Sequence, residues 1–325
     1  MIISRTPLRV SFAGGGTDLP NFYRQHGGAV LSMSIQKYIY LAMHSYFEKD
    51  GYILKYSKLE APRTLGDIEH RIIKQVFSDL DIRRVDFNSS ADVPAGTGMG
   101  SSSAFTVGIL NLCYAYKGQF VSKATLAEMA CEIEINKLNE PIGKQDQYGC
   151  ALGGINFIQF FEDESVAFEP VPLSYEQKRQ LESSLMMFYL GGTRSASAIL
   201  SEQSKNSVEN VDIIKNLRFM AGQAHSLRRD ICQSVDVLGE YLNEGWMRKR
   251  KLAPGVSNPL VDGCYDRALA AGATGGKLLG AGGSGFLLVY CPQKKRQDVI
   301  EALAEFDLHE VRMDNAGATI VYSDA

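Results

Sequence analysis

The stretch PAGTGMGSSSA, Pro94 to Ala104, decides how the rest of the chain is read. It follows a β-like run at 85–89 and leads into an apolar run at 101–116, so it predicts strand, glycine loop and helix in that order. Glycines at 96, 98 and 100 allow positive φ and let the backbone come close to a ligand. The start of a helix offers unpaired N–H groups and the positive end of the helix dipole. Together these features make an anion cradle suited to phosphate, with the hydroxyls of Ser101, Ser102 and Ser103 beside it. No lysine follows in GxxxxGK[ST] fashion, which excludes a P-loop of that kind. The plainer alternative is a serine-capped helix after a flexible turn.

Glycine is abundant, 31 of 325 residues, and it clusters in three runs rather than in linkers. The second run, GAGGSG at 280–285, formally fits GxGxxG. An apolar strand follows it at 286–290, where a dinucleotide-binding unit requires a helix, so a dinucleotide oxidoreductase is disfavoured. A tight turn or close backbone packing accounts for the run equally well. The third run, FAGGGTDL at 12–19, either presents Thr17 and Asp18 to a polyol or caps a helix at 19–25.

Three other places hold residues suited to chemistry. A helix at 122–138, capped by Ser122, places Glu134 on the same arc as Leu126, Ala130, Ile133 and Leu138, with Glu128 and Glu132 opposite. A carboxylate on a buried arc is paired, protonated or metal-bound. Lys137, three residues on, is one partner, and Mg²⁺ is the other reading. The segment NEPIGKQDQYG at 139–149 reads as a loop holding Lys144 and Asp146, either catalytic or merely charged surface. Arg194 and Ser195 stand between a strand at 185–190 and a long helical region at 196–246, where an Arg either grips phosphate or faces solvent.

The chain length suits two domains, 1–170 and 171–325, with the polar segment 162–176 and its Pro170 and Pro172 between them. Strands are expected at 9–12, 29–33, 38–44, 52–56, 85–89 and 153–161 in the first half, and helices at 258–271 and 297–306 in the second, an α+β architecture. A net charge of −3 argues against nucleic acid as a partner, and no apolar run is long enough for a membrane span. The start MIISRTPLRVSF lacks the pattern of a secretory signal, so a cytoplasmic location is expected. Six dispersed cysteines suit small buried hydrophobes in a reducing compartment, and five histidines without metal spacing argue against zinc.

RVSFAGGGTDL, PAGTGMGSSSA and KLLGAGGSGF, in this order and separation, resemble the three motifs of the GHMP kinase superfamily over nearly the whole chain. The resemblance implies a fold with a ribosomal-protein S5-like first domain and a ferredoxin-like second one, with ATP and a small-molecule substrate meeting between them. It implies that Pro94, Gly96, Thr97, Gly98, Gly100, Ser101, Ser102 and Ser103 cradle ATP, that Ser102 and Glu134 hold Mg²⁺, and that Asp146 orients or deprotonates the attacking hydroxyl. Gly15, Gly16, Thr17 and Asp18 would hold the substrate, with Gly282 and Gly283 supporting it from the second domain.

EPIGKQDQYGCALGG, GGTRSASAIL and GWMRKRKLAPGVSNPLVD are similar, within that superfamily, to kinases acting on the anomeric hydroxyl of an already phosphorylated sugar. That likeness implies a place in making activated sugars for lipopolysaccharide, capsule or S-layer glycan. On chemical grounds Arg194 and Ser195 are assigned to the phosphate the sugar already carries. A free-sugar 1-kinase and a non-catalytic ATP- and sugar-binding sensor are the competing expectations.

Overall fold

The computed structural model describes residues 1–192, 201–202 and 210–324. Arg194 and Ser195 therefore lie outside the described residues. Two sheets organise the chain. The first runs β12-β1-β2-β5-β3-β4, with β6 beside β2 and β7 beside β6. Its strands are β1 (Ile2–Ala13), β2 (Gly28–Ser45), β3 (Ile53–Lys55), β4 (Leu59–Glu60), β5 (Val85–Ala91), β6 (Ile155–Phe160), β7 (Val166–Pro170) and β12 (Thr319–Ser323). The second sheet is antiparallel, β11-β8-β10-β9, from β8 (Leu185–Tyr189), β9 (Gly275–Leu278), β10 (Phe286–Tyr290) and β11 (Asp307–Glu310).

The β-like runs at 29–33 and 38–44 are halves of one long strand. β2 pairs with β1 along its length, while β6 takes its first half and β5 its second. The last strand returns to the first sheet, with Ile2 opposite Ser323 and Arg5 opposite Thr319. The expected first unit thus gains a strand from the far end of the sequence.

Helix α1 (Pro20–His26) lies between β1 and β2, and α2 (Arg71–Asp79) precedes β5. Next come α3 (Ser101–Tyr116), α4 (Lys123–Cys131) and α5 (Gln145–Leu152). The helix α3 packs on β1 and β2 and against α4 and α5, so it is apolar on almost every side. Gly108 permits that approach, since a Cβ there would stand 2.9 Å from Thr6 Oγ1. Ser122 caps α4 by accepting from the Thr125 N–H, as its sequence suggests. The helix then widens into a π-helical turn, Glu132–Lys137, where the 3.6-residue period lapses.

The second half adds α6 (Tyr175–Ser184), α7 (Val211–Asp230), α8 (Leu238–Lys249), α9 (Pro259–Ala270) and α10 (Arg296–Ala302). Both α7 and α8 reach back to β1, and α8 also lies on β9. One core accordingly runs from Leu8, Val10 and Met33 through Leu227 and Leu242 to Phe286 and Leu288. A smaller core, around Trp246, Tyr265 and Phe188, fills the second sheet's other side. The polar segment 162–176 is not an open linker: β7 lies within it, and Ser174 with Gln177 forms a capping box that starts α6. All six cysteines are free, and five are buried, as small apolar side chains.

Candidate active site

The two glycine loops meet backbone to backbone. A Cβ on Gly98 would fall 2.6 Å from the Leu279 carbonyl oxygen, and one on Gly280 would fall 2.4 Å from Gly98 Cα. Both residues have positive φ, +86° and +71°. The requirement for glycine here is therefore double, one of conformation and one of space. Their contact closes one end of a cavity of about 450 Å³.

The N-terminus of α3 forms one wall. Gly100, in the left-handed conformation, precedes the helix, and Ser101, Ser102 and Ser103 face the cavity with Gly96 and Gly98. Pro94 and Thr97 are not cavity residues. The Thr97 hydroxyl donates to the Pro94 carbonyl at 3.0 Å and holds the loop's shape.

Glu134 lies behind this wall, 1% exposed. It accepts from Ser102 Oγ at 2.8 Å and from Gln147 Nε2 at 2.8 Å. Lys137 is not its partner; that ammonium reaches Asp79 at 2.9 Å. Burial raises the Glu134 pKa, opposed by its hydrogen bonds from Ser102, Ser103 and Gln147. One carboxylate beside one hydroxyl, next to a phosphate cradle, is a hard-oxygen donor set that fits Mg²⁺, which takes few protein ligands and completes its shell with phosphate and water. No cluster of three His, Cys, Asp or Glu suited to a metal exists among the described residues.

The opposite wall carries Asp146, Asp18 and Arg9. Asp146 is in the first turn of α5, so the segment at 139–149 is only partly loop. The sequence conceals this because Gly149 interrupts the helical pattern. That glycine is needed, since a Cβ there would stand 2.9 Å from Ser32 Oγ and 3.1 Å from Arg9 Cγ. Arg9 Nε donates to Asp146 Oδ1 at 2.8 Å, and its Nη1 to the Gly98 carbonyl at 2.9 Å. Burial works against the Arg9 charge, and the neighbouring Asp146 outweighs it, leaving the guanidinium firmly protonated.

Asp18 is buried and accepts from the Gly16 N–H at 3.0 Å and from Gln145 Nε2 at 3.2 Å. Burial and then Asp146 push its pKa up to about 6. Gly15 and Gly16 line the cavity beside it.

Thr17 departs from its expected role. Its hydroxyl donates to the Ala29 carbonyl at 3.0 Å and accepts from the Ala29 N–H at 3.1 Å, so it fastens the loop to β2 and does not face the cavity. Gly282 and Gly283 are displaced too. They pack on the segment after α8, with the Gly283 N–H on the Val256 carbonyl at 3.1 Å, whereas Gly280 and Ala281 line the cavity. Lys144 turns away to Glu164 at 2.7 Å.

Sequence reasoning missed Arg9, Lys249 and Lys277. All three are buried and line the cavity. The one available signal was an isolated cation inside an apolar pattern, as in GGKLLG at 275–280.

Comparison with known proteins places the chain. GHMP kinases N terminal domain matches residues 68–154 and GHMP kinases C terminal matches residues 224–308, together more than half of the chain. The chain is a GHMP kinase. Members of this family use ATP as phosphate donor, so it is a phosphotransferase with an alcohol group as acceptor. This GHMP kinase is 28% identical, over 93% of both chains, to D-glycero-alpha-D-manno-heptose 7-phosphate kinase of Campylobacter jejuni. It is 26% identical to the bifunctional fucokinase/GDP-fucose pyrophosphorylase of Arabidopsis thaliana, where 93% of the chain matches 31% of that larger protein. Among solved structures, a D-glycero-D-manno-heptose 1-phosphate kinase from Bacteroides thetaiotaomicron superposes with a TM-score of 0.81 at 23% identity, covering 99% of this chain and 100% of that one. These likenesses bear out the α+β two-domain GHMP kinase fold. No helix among the described residues is long and apolar enough to cross a membrane.

Proposed function

We propose that this GHMP kinase is a sugar kinase that transfers the γ-phosphoryl group of ATP to the anomeric hydroxyl of D-glycero-D-manno-heptose 7-phosphate, giving the 1,7-bisphosphate. The observation that carries a polyol acceptor is the wall facing the phosphate cradle. Asp146, Asp18, Ser11 and Gln145 line it together. Carboxylates, a hydroxyl and a side-chain amide gathered on one cavity wall are the hydrogen-bonding groups that suit the hydroxyls of a polyol. The heptose skeleton rests on the named relatives.

In this reading, Gly96, Gly98, Gly100 and the first turn of α3 hold the ATP phosphates. Ser102 and Glu134 would hold Mg²⁺, which would supply positive charge against the charge of the transferring phosphoryl group. Asp146 receives the acceptor hydroxyl as hydrogen-bond donor and takes its proton as the O–P bond forms and ADP leaves. Arg9 fixes the Asp146 carboxylate in place while tying it to the Gly98 carbonyl of the phosphate loop. Phosphoryl transfer passes through a loose transition state, so positioning and charge account for most of the catalysis. The boundary near residue 170, a cytoplasmic location and a role in nucleotide-activated heptose biosynthesis complete the proposal. Phosphorus NMR of the product tests it: a second phosphate coupled to the anomeric proton is expected, and a new phosphate elsewhere on the sugar overturns it.

The fucokinase relatives favour a second reading, a free-sugar 1-kinase. It uses the same groups and differs only in needing no site for a phosphate on the acceptor.

A further inference from the structure

Lys277, on β9, is 4% exposed and lines the cavity. Its backbone is paired with Leu288 of β10, but its ammonium has no hydrogen-bond or ion-pair partner among the described residues. Lys249, at the end of α8, is 6% exposed and donates to the Gly280 carbonyl, which leaves two of its three N–H groups. Buried lysines are rare without a counter-charge, because desolvating an ammonium is expensive. Here two stand together: the charged groups facing Lys249 are Arg9, Asp18 and Asp146, and those facing Lys277 are Lys249 and Arg9, both cations. Arg9 is already engaged by Asp146, so Asp18 is the one remaining anion facing Lys249, and no anion faces Lys277 among the described residues. Burial and then the neighbouring cations push the Lys277 pKa well below the usual lysine range, and burial brings Lys249 down to about 8.

We infer that Lys249 and Lys277 form an anion site that takes the phosphate group already carried by the acceptor sugar. The inference rests on the sugar-phosphate reading above and deepens it. A phosphate dianion supplies the counter-charge these residues lack and accepts several charge-assisted hydrogen bonds at once. The other phosphate in the cavity, the γ-phosphoryl of ATP, fits less well. Its cradle is Gly96, Gly98, Gly100 and the first turn of α3, and among the described residues neither ammonium makes a hydrogen bond to any of these, Lys249 donating to Gly280 instead. Lys249 instead faces Asp18 and Asp146 on the acceptor side, and Lys277 stands beside Lys249. Arg194 and Ser195, the residues assigned to this phosphate from sequence, are then not required for it.

The test compares D-glycero-D-manno-heptose 7-phosphate with the unphosphorylated heptose as acceptors, in the wild type, Lys277→Met and Lys249→Met. The wild type is expected to favour the phosphorylated sugar in kcat/KM. Each variant is expected to reduce that preference by about 10- to 100-fold, the size of one lost charged hydrogen bond, with the loss in KM for the phosphorylated sugar. Methionine replaces a buried charge with an apolar chain of similar length, so Lys277→Met is expected to fold with an unchanged or raised Tm. A wild type without preference overturns the sugar-phosphate reading and this site with it. A wild type with the preference, and variants that lose kcat equally on both sugars, keeps that reading but returns the lysines to the γ-phosphoryl and overturns the inference. Calorimetry without ATP gives a second readout: wild type is expected to take up protons on binding the sugar phosphate, as the lysines become fully charged, and Lys277→Met to take up fewer. Equal uptake in both overturns the role of Lys277.

Discussion

Arg9 holds Asp146 Oδ1 through Nε at 2.8 Å and Nη2 at 2.7 Å, while Nη1 holds the Gly98 carbonyl at 2.9 Å. One guanidinium on β1 thus fixes the distance between the proposed base and the phosphate loop. Its own N–H adds a bond to the Met99 carbonyl at 3.1 Å. Asp146→Asn removes the proton acceptor and is expected to lower kcat by at least about 10²-fold. Arg9→Lys keeps the charge but loses the planar fork, so it cannot serve Asp146 and Gly98 together. It is expected to lower kcat by about 10-fold or more with little change in KM for ATP, a split that steady-state kinetics reads directly.

Ser102 Oγ donates to Glu134 Oε1 at 2.8 Å, which brings the two proposed Mg²⁺ holders together. Glu134→Gln keeps the shape and removes the charge. The Mg²⁺ concentration for half-maximal rate is expected to rise by about 10-fold or more. An unchanged Mg²⁺ dependence would take Glu134 out of the metal site.

Asp18 gives a pH signature. Its folded pKa is about 6 against an ordinary 3.8, so the folded state binds the proton more tightly. Its contribution is favourable below pH 3.8 and is lost as pH rises through 6. Asp18→Asn, which does not titrate, is expected to gain stability relative to wild type by about 2–3 kcal/mol between those limits. Denaturant titrations of both proteins at pH 4 and pH 7 measure it; a constant difference would refute the assignment.

The meeting of the glycine loops predicts that Gly98→Ala and Gly280→Ala destabilise by about 2–4 kcal/mol and raise KM for ATP. Gly118→Ala serves as the comparison. Its φ is +70°, but nothing lies within 4 Å of the added carbon, so it carries the backbone strain alone. Thermal unfolding of the three variants separates the two effects.

Much of this site is legible from sequence where local chemistry and fold agree. The bounds of α3 and β10 follow from a glycine run abutting an apolar run, and Glu134 follows from helical periodicity despite the π-helical turn. Asp146 lines the cavity, though from inside a helix rather than a loop. The residues that escaped are those whose setting is made by distant chain. Arg9 lies in a strand whose alternation gives no hint that Gly149 and Gly98 enclose it. Lys249 ends a helix, where a basic residue ordinarily faces solvent and complements the dipole. Thr17 was misassigned for the converse reason: beside three glycines it resembles a ligand, yet the Ala29 backbone, 12 residues away, uses both functions of its hydroxyl. The long β2 was divided because its polar Ser34, Gln36 and Lys37 interrupt the apolar pattern, while pairing to β1 carries the strand through them.

The central claim is that this cavity phosphorylates a heptose phosphate through Asp146. Its most direct test is ADP release with Mg²⁺-ATP over D-glycero-D-manno-heptose 7-phosphate, mannose 6-phosphate, sedoheptulose 7-phosphate, fucose, galactose and mevalonate, with Asp146→Asn alongside. Selective turnover of the heptose 7-phosphate, abolished in the variant, is the predicted result. Turnover of fucose or galactose in preference to every sugar phosphate would contradict it.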